Sequence, residues 1–230
     1  MSTAMNLPAE IFKAYDIRGI VGKSLTADVV RRIGHALGSL ALEQGQAAIA
    51  VGRDGRLSGP ELAGALIDGI CAAGCDAIDV GRVPTPVTYF AAWELGCNSC
   101  VSVTGSHNPP DYNGLKMVIG GTTLALDAIQ DLKQRIEADN LNHGKGERRS
   151  ADVKSAYVEK IVSDVKLARP LKIVMDCGNG VAGAVAPELF KRLGCEIIPL
   201  YCEVDGNFPN HHPDPSKPEN LADVSKALKD

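Results

Sequence analysis

A serine and a histidine lie side by side in the segment SVTGSHNPPDYNGLKM, residues 102–117. Ser106 follows an apolar run, and in open α/β sheets ligand sites gather where such strands end. A serine hydroxyl becomes a useful nucleophile when a base removes its proton or when its electrophile is stabilised. His107 or Lys116 could do the first, and cations do the second when the electrophile is phosphorus. The segment therefore indicates either phosphoryl transfer or an ordinary turn in which Ser106 and Asn108 bond the backbone.

Glycines and prolines make this segment stiff. We expect Gly105 to let the backbone turn after a strand at 99–105, and Gly114 to give a second turn. The Asn-Pro-Pro run at 108–110 restricts the loop, because proline fixes its own φ and biases the residue before it. The spacing is not the G-x-S-x-G of a nucleophile elbow, and no third triad member is placed, so a serine hydrolase is disfavoured.

Two further loops follow predicted strands. The loop VGRDGRLSGPE at 51–61 precedes a helix, whose N-terminal N–H groups and dipole can hold an anion. We predict that Ser58 caps this helix, and that Arg53 either binds an anion or forms a structural pair with Asp54. The loop MDCGNGVAG at 175–183 resembles a phosphate loop but matches no nucleotide-binding motif, so a tight turn is its default explanation.

The N-terminal loop KAYDIRGIVG holds Tyr15 and Arg18. The chain has a formal net charge of −4, yet its candidate loops are locally cationic. An anionic, phosphorylated small substrate fits this pattern. The chain has no basic block and no heptads, which argues against a nucleic-acid partner or a coiled coil.

The composition is typical of a globular protein, with 45% hydrophobic and 23% charged residues. No apolar run is long enough to span a bilayer, and residues 1–16 lack the regions of a signal peptide, so we expect a cytoplasmic protein without a membrane partner. Seven cysteines in such a chain predict reduced thiols. Cys97 and Cys100 are expected at the start of a buried strand rather than in a zinc site, and His211 and His212 are expected to be loop histidines.

Apolar strand-length runs alternate with helical patterns along the chain. This alternation predicts an α/β fold with a mixed, mostly parallel sheet sandwiched by helices. A helix–Gly-Cys–strand unit occurs twice, as CAAGCDAIDV and KRLGCEIIPL, and indicates a repeated α/β domain. The predicted strands lie at 47–52, 76–81, 99–105, 114–119, 171–178 and 195–201, and the predicted helices at 59–74, 86–96, 125–140, 152–167, 183–193 and 221–230.

These elements predict two domains. Residues 1–140 form the first, the polar stretch 141–152 is a linker, and residues 153–230 form the second. Two strands make a poor core for the second domain. We therefore expect that domain to be incomplete and the chain to be the front part of a longer protein.

Six segments together resemble the α-D-phosphohexomutase family, and within it the bacterial phosphomannomutase/phosphoglucomutase group. The segment TGSHNPPDYNGLK is similar to the family's phosphoserine loop. Five others stand in the family's order, namely IFKAYDIRG, AVGRDGRLSGPEL, VPTPV, DCGNGVAG and LYCEVDGNFPNHHPDPSKPENL. The resemblance covers the N-terminal portion of the family, from about Ile11 to the end of the chain.

The resemblance implies an isomerase that interconverts hexose 1-phosphates and 6-phosphates through a phosphoserine and a hexose 1,6-bisphosphate. Ser106 would carry the phosphoryl group and contact substrate. Arg18, His107 and Lys116 would neutralise charge or move protons, and Tyr15 would contact substrate. Mg²⁺ would bridge the phosphoserine and an aspartate loop, with glucose 1,6-bisphosphate as activator. The family also implies a monomer that acts on small phosphosugars and supplies GDP-mannose and polysaccharide synthesis.

The family's metal loop, an Asp-Gly-Asp-Gly-Asp-Arg run, is absent from these residues. We therefore expect the aspartate ligands beyond residue 230, and no turnover by the 230-residue portion alone. Two alternatives stay open, a phosphoglucosamine or phosphoacetylglucosamine mutase and a non-catalytic module that binds sugar phosphates. At Gly105 some relatives carry alanine, and we expect no functional consequence of that difference.

Overall fold

A seven-stranded sheet organises the first region of the chain, residues 7–150, in a computed structural model that describes residues 7–229. The strands are β1 (Ile17–Ile20), β2 (Ala48–Arg53), β3 (Asp76–Arg82), β4 (Cys100–Val103), β5 (Tyr112–Ile119), β6 (Thr122–Thr123) and β7 (Arg148–Ser150). Their spatial order is β1-β5-β4-β2-β3-β7, with β6 beside β5. Of these seven strands, β5 alone runs opposite to the other six, so the predicted mixed, mostly parallel sheet is confirmed.

Helices cover both faces of this sheet. They are α1 (Ala27–Glu43), α2 (Gly59–Ala72), α3 (Thr85–Glu94) and α4 (Asp127–Glu137). Side chains alternate along a strand, so Ile49 and Val51 of β2 pack with α1, α2 and α4, whereas Ala48 and Ala50 pack with α3. Helix α1 was not among the predicted helices. It begins after Thr26, whose side-chain Oγ1 accepts a 3.3 Å hydrogen bond from the backbone N–H of Val29.

Helices α1 and α2 approach so closely that glycine is required at their crossing. A Cβ on Gly34 would lie 2.2 Å from the Leu66 carbonyl oxygen, and a Cβ on Gly69 would lie 1.9 Å from that of Arg31. This contact fixes α2, and therefore the loop that precedes α2, against the rest of the core.

The segment predicted as a linker, 141–152, contains the edge strand β7. The segment has the polar composition of a linker because its side chains face solvent. There Arg148 and Arg149 form ion pairs of 2.7 and 3.1 Å with Asp79 and Asp76. The segment lies against the first region so tightly that a Cβ on Gly146 would approach the Cys75 carbonyl oxygen to 1.9 Å. The domain bounds themselves stay a prediction.

The second region, residues 151–229, repeats the strand–loop–helix unit. It contains α5 (Lys154–Asp164), β8 (Lys172–Asp176), α6 (Ala186–Arg192), β9 (Glu196–Leu200) and α7 (Ala222–Ala227), and β8 and β9 are parallel. The predicted helix at 183–193 starts as a 3₁₀ turn at 181–184 and continues as α6. Helix α5 packs on α3 of the first region, where the ring centroids of Phe90 and Tyr157 lie 5.5 Å apart.

No described helix combines the length and apolar character needed to cross a membrane. Residues 1–6, on which the expectation of no signal peptide partly rests, lie outside the described residues. Asp230, the last residue of the predicted C-terminal helix, does so too.

Candidate active site

Ser106 lies on an exposed loop three residues after the end of β4, rather than directly after the strand as expected. Its backbone is left-handed, with a φ of 53°, a conformation that costs free energy in a non-glycine residue. The backbone N–H of Ser106 donates to Thr104 Oγ1 at 3.0 Å. The Ser106 Oγ lies 3.3 Å from His107 Nδ1. The loop thus presents the hydroxyl to solvent with the imidazole beside it.

The two glycines expected to turn the chain have another task. Gly105 does not have a positive φ; instead, a Cβ there would lie 2.0 Å from Arg56 Nε. Gly114 lies inside β5, and its Cβ would approach the Ile17 carbonyl oxygen to 2.1 Å. Both glycines allow another group to come close, a side chain at Gly105 and a backbone carbonyl at Gly114. Alanine at position 105 would require the Arg56 side chain to shift, and the expectation that it has no functional consequence stays a prediction.

The buried guanidinium of Arg56 lies under the loop and is 2% exposed. Its Nη1 donates to the carbonyl oxygens of Pro109 and Tyr112 at 2.5 and 3.0 Å. Its Nη2 donates to those of Ser106 and Asn108 at 3.1 and 2.6 Å. Burial lowers the pKa of Arg56, and the carboxylate beside it opposes that shift. Arginine stays charged in proteins, so these four bonds are charge-assisted.

Asp54 joins this arginine to the serine loop. It accepts hydrogen bonds from the backbone N–H groups of Arg56 and Gly105 at 3.0 and 2.9 Å, and its carboxylate lies 3.3 Å from Arg56 Nε. The predicted pairing with Arg53 is therefore wrong, since the carboxylate of Asp54 turns toward Arg56. The Arg53 Nη1 is buried and has no hydrogen-bond partner within residues 7–229.

The predicted helix cap at Ser58 is also wrong. Ser58 has helical backbone angles itself and makes no side-chain cap bond. Its Oγ instead accepts a 2.9 Å hydrogen bond from the side-chain amide of Asn113, at the start of β5. This bond ties the loop before α2 to the strand that follows the serine loop.

A second cationic group lies on the neighbouring strands β1 and β5. Arg18 is opposite Gly114 in the register, and Lys116 is two residues further along β5, so both side chains leave the same face. Asp16 joins them, with its Oδ2 2.5 Å from Arg18 Nη2 and 3.7 Å from Lys116 Nζ. Arg18 is 9% exposed, and its Nη1 is buried without a hydrogen-bond partner in the described part of the chain.

The structure therefore divides the predicted site residues into two groups. Ser106 and His107 lie on the loop, while Arg18 and Lys116 share Asp16 on the sheet. No hydrogen bond or ion pair connects the groups among the described residues. Tyr15 precedes β1 and is 71% exposed, with no side-chain hydrogen bond recorded in this part of the structure.

The second region contains a glycine-rich turn and a histidine that are held by hydrogen bonds of their own. Asn179 has a φ of 56° and is buried, donating from Nδ2 to the Glu203 carbonyl oxygen at 2.9 Å. His211 lies 3.0 Å from Asp176 Oδ2. The pKa of Asp214 is lowered, mainly by the hydrogen bonds from Ser216 and in smaller part by the charge of His107.

No cluster of three or more potential metal-binding side chains occurs within residues 7–229. Cys97 and Cys100 are both buried at the start of β4, as predicted, and burial raises the pKa of Cys100 to about 12. His211 packs in its loop beside the ring of Tyr201, with centroids 5.4 Å apart.

Comparisons with known proteins place these features in a family. Residues 9–143 match the model of phosphoglucomutase/phosphomannomutase alpha/beta/alpha domain I, and residues 155–230 match that of domain II. The phosphomannomutase/phosphoglucomutase of Pseudomonas aeruginosa is 57% identical over the whole chain, which spans 50% of that protein. The phosphoglucomutase of Neisseria gonorrhoeae is 54% identical over 97% of the chain, which spans 49% of it.

A solved structure agrees with these matches. The phosphoglucomutase/phosphomannomutase family protein of Burkholderia thailandensis superimposes with a TM-score of 0.93 at 57% identity, over 97% of this chain and 50% of that one. The chain thus spans about half the length of the relatives it matches. With both domain models matched and the same fold observed, the chain belongs to the phosphoglucomutase/phosphomannomutase family.

Proposed function

We propose that the protein containing this chain is a phosphohexomutase that interconverts hexose 1-phosphates and hexose 6-phosphates. The observation that carries the proposal is the presentation of Ser106, an exposed hydroxyl in a left-handed conformation on a loop anchored from below. Relatives named for mannose and for glucose both match, so we propose both sugars as substrates.

In this proposal, phosphorylated Ser106 transfers its phosphoryl group to a free hydroxyl of the sugar phosphate. The bond between phosphorus and the serine oxygen breaks, a bond to the sugar oxygen forms, and the sugar hydroxyl loses its proton. The hexose 1,6-bisphosphate then reorients and returns its other phosphoryl group to Ser106. Added glucose 1,6-bisphosphate activates by charging unphosphorylated enzyme. Such transfers depend on in-line positioning and charge neutralisation more than on covalent chemistry.

The neighbouring side chains take the remaining roles. His107, whose Nδ1 is 3.3 Å from the Ser106 hydroxyl, exchanges a proton with the reacting oxygens. Arg18 and Lys116 bring positive charge to the adjacent sheet edge, where it neutralises phosphate oxygens. The exposed ring of Tyr15 contacts the sugar.

A Mg²⁺ ion fits the donor chemistry of a phosphorylated Ser106, since phosphoryl oxygens are hard ligands of the kind this ion prefers. When bound, it would neutralise charge on the transferring phosphoryl group. Residues 7–229 contain no carboxylate cluster to complete its shell. We propose that the aspartate ligands lie beyond residue 230, and that the 230-residue chain alone does not turn over substrate.

The family membership also supports proposals on oligomeric state, location, partners and domains. We propose a monomeric cytoplasmic enzyme whose partners are small phosphosugars, without a nucleic-acid or membrane partner. We also propose that residues 1–140 and 153–230 are separate domains, with the edge strand β7 inside the stretch that joins them.

The direct test is phosphate on Ser106 in the full-length protein. Tryptic peptide 83–116 should carry one phosphate by tandem mass spectrometry, lose it to glucose 1-phosphate and regain it from glucose 1,6-bisphosphate. Replacing Ser106 with Ala should lower kcat by at least about a thousandfold, because no covalent carrier remains. The control Ser163→Ala changes an exposed serine on α5 and should leave kcat unchanged. A Ser106 that the bisphosphate cannot charge would contradict the proposal.

A further inference from the structure

Arg56 is the largest fully buried side chain in the described structure, and the rest of that group are aliphatic. Burying a charge is costly unless the charge is paired and hydrogen-bonded. Here the partners are one carboxylate, Asp54, and four backbone carbonyl oxygens that span 106–112. An aliphatic side chain could fill the core at this position equally well. The hydrogen bonds to the serine loop are therefore the feature that requires an arginine here.

The backbone of the loop depends on this side chain. The carbonyl of Ser106, the residue with positive φ, is itself one of the four acceptors. One peptide unit further back, the Gly105 N–H donates to Asp54 Oδ2. The unit between them, which joins Gly105 to Ser106, donates to Thr104 Oγ1 and accepts from the Asn108 side chain. Arg56 and Asp54 therefore hold the chain on both sides of that unit, and with it the direction of the Ser106 Cα–Cβ bond.

Only the guanidinium fork fits this arrangement. Arginine offers five N–H donors in one plane, whereas lysine offers three donors from a single nitrogen. The two terminal nitrogens of Arg56 reach carbonyls on both arms of the loop, at Ser106 and Asn108 and at Pro109 and Tyr112. A lysine would keep the charge but leave some of these buried acceptors without a partner.

The second region closes over the same arginine. The guanidinium stacks against the Phe208 ring in a cation–π arrangement. The distance from Arg56 Cζ to the centroid of the ring is 5.3 Å. Beside it, a Cβ on Gly206 would lie 2.7 Å from the Gly55 carbonyl oxygen. Segment 204–208 thus seals Arg56 from water and connects the second region to the serine loop.

We propose that Arg56 is a positioning residue that holds the Ser106 hydroxyl in its transfer geometry, and that Phe208 couples the second region to this function. The proposal rests on the proposed mutase function. It adds a requirement that folding alone does not impose, namely that the rate of transfer from Ser106 depends on the fork of Arg56.

The test uses the full-length protein and its Arg56→Lys variant. Each is charged on Ser106 with glucose 1,6-bisphosphate and desalted, and the first-order loss of phosphate to glucose 1-phosphate is followed by quenched mass spectrometry. This rate constant does not depend on the fraction of folded enzyme. We expect Arg56→Lys to transfer about tenfold or more slowly, because small misplacements of reacting groups have effects of this size. Phe208→Leu should slow transfer less. The control Arg31→Lys changes an exposed arginine on α1 and should match the wild type.

Hydrogen exchange of the amides in 105–112 is the second measurement, and it applies even to a variant that cannot be charged. We expect faster exchange in Arg56→Lys and a smaller increase in Phe208→Leu. Charged Arg56→Lys that transfers at the wild-type rate would overturn the positioning role. A wild type that cannot be charged would refute the mutase proposal. If the wild type cannot be charged, hydrogen exchange still tests the positioning role. Amides in 105–112 that exchange at the same rate in Arg56→Lys and in the wild type would refute it, and faster exchange in Arg56→Lys would support it.

Discussion

Strands β2 and β8 both run into a glycine-containing loop that precedes a helix, yet their side chains have very different surroundings. In β2 the residues from Ala48 to Gly52 are buried, and Ile49 is 0% exposed. In β8 none of the five residues is buried. The first region covers both faces of a seven-stranded sheet, whereas the second region has a described sheet of two strands. The local unit is the same, and its burial depends on how many strands and helices flank it.

The loops do not share this difference. In the first region Gly105 lies against Arg56, and in the second a Cβ on Gly183 would lie 1.9 Å from the Cys202 carbonyl oxygen. Both regions therefore have a glycine that another group approaches closely, a side chain at Gly105 and a backbone carbonyl at Gly183, although one sheet is fully covered and the other is not. Four substitutions, one of them with a matched control, test the packing of the two sheets and of the second region's loops.

The largest effect is expected for Ile49→Ala, in the centre of the first region. Removal of a fully buried isoleucine loses transfer free energy and leaves a cavity, and should lower the free energy of unfolding by about 3 kcal/mol. Urea unfolding followed by circular dichroism measures this change. A loss below about 1 kcal/mol would show that the first sheet is less tightly packed than its burial indicates.

The next effect is expected for Gly183→Ala, in a turn of the second region. The added methyl meets backbone that cannot rotate away, and should cost about 2 kcal/mol on the same unfolding measurement. The matched control is Gly64→Ala in α2, where nothing lies within 4 Å of the new Cβ. That control should stabilise the chain by about 0.5–1 kcal/mol, since alanine is the better helix former. Equal signs for the two variants would contradict the close approach at Gly183.

A smaller effect is expected for Ile197→Ala in β9, an isoleucine of the second sheet. Ile197 is half-buried, so truncation should cost only about 1 kcal/mol. The comparison of Ile49→Ala with Ile197→Ala under identical conditions gives the burial difference directly. If both variants lose the same free energy, the two sheets are equally packed and the contrast between the regions fails.

The smallest effect concerns pH and His211. Its pKa is raised: desolvation lowers it, but the hydrogen bonds to the His212 carbonyl and to Asp176, together with the Asp176 charge, outweigh that. A folded-state pKa above the unfolded value of about 6.5 means that the stabilisation is fully present below pH 6.5 and is lost as pH rises through the folded pKa. We expect His211→Asn to lower the urea midpoint more at pH 5.5 than at pH 8.5. The reverse order would show that the imidazole is buried neutral.

The alternation of apolar runs with helical patterns was sufficient to predict the layered α/β fold, most helices and six of the nine described strands, while the short strands β1, β6 and β7 were not predicted. Helix α1 was not predicted, although its apolar residues recur on one face and Thr26 caps it. Its Gly34 and Gly38 allow α2 to approach, a contact that only the packed structure reveals. Strand β7 escaped because an edge strand with exposed arginines has the composition of a linker.

For the site too, the sequence predicted local features and missed those that depend on packing. The sequence predicted the strand-end loop and its candidates Ser106, His107, Lys116, Arg18 and Tyr15, whose roles stay a prediction. It did not predict what Arg56 and Asp54 do, since a buried arginine and an exposed one look the same in a sequence. The turn itself was assigned to Gly105, whereas the left-handed residue is Ser106.

By itself the sequence determined the local units, because hydrophobic periodicity, prolines and glycines act over a few residues. It also carried the family resemblance through the order of its loop motifs. Only the tertiary structure decided which groups meet: Arg56 with four carbonyls across about fifty residues of chain, and Arg18 with Lys116 through Asp16 across the β1–β5 pair. Such contacts depend on register, burial and helix crossing, which are properties of the packed chain and not of any single segment.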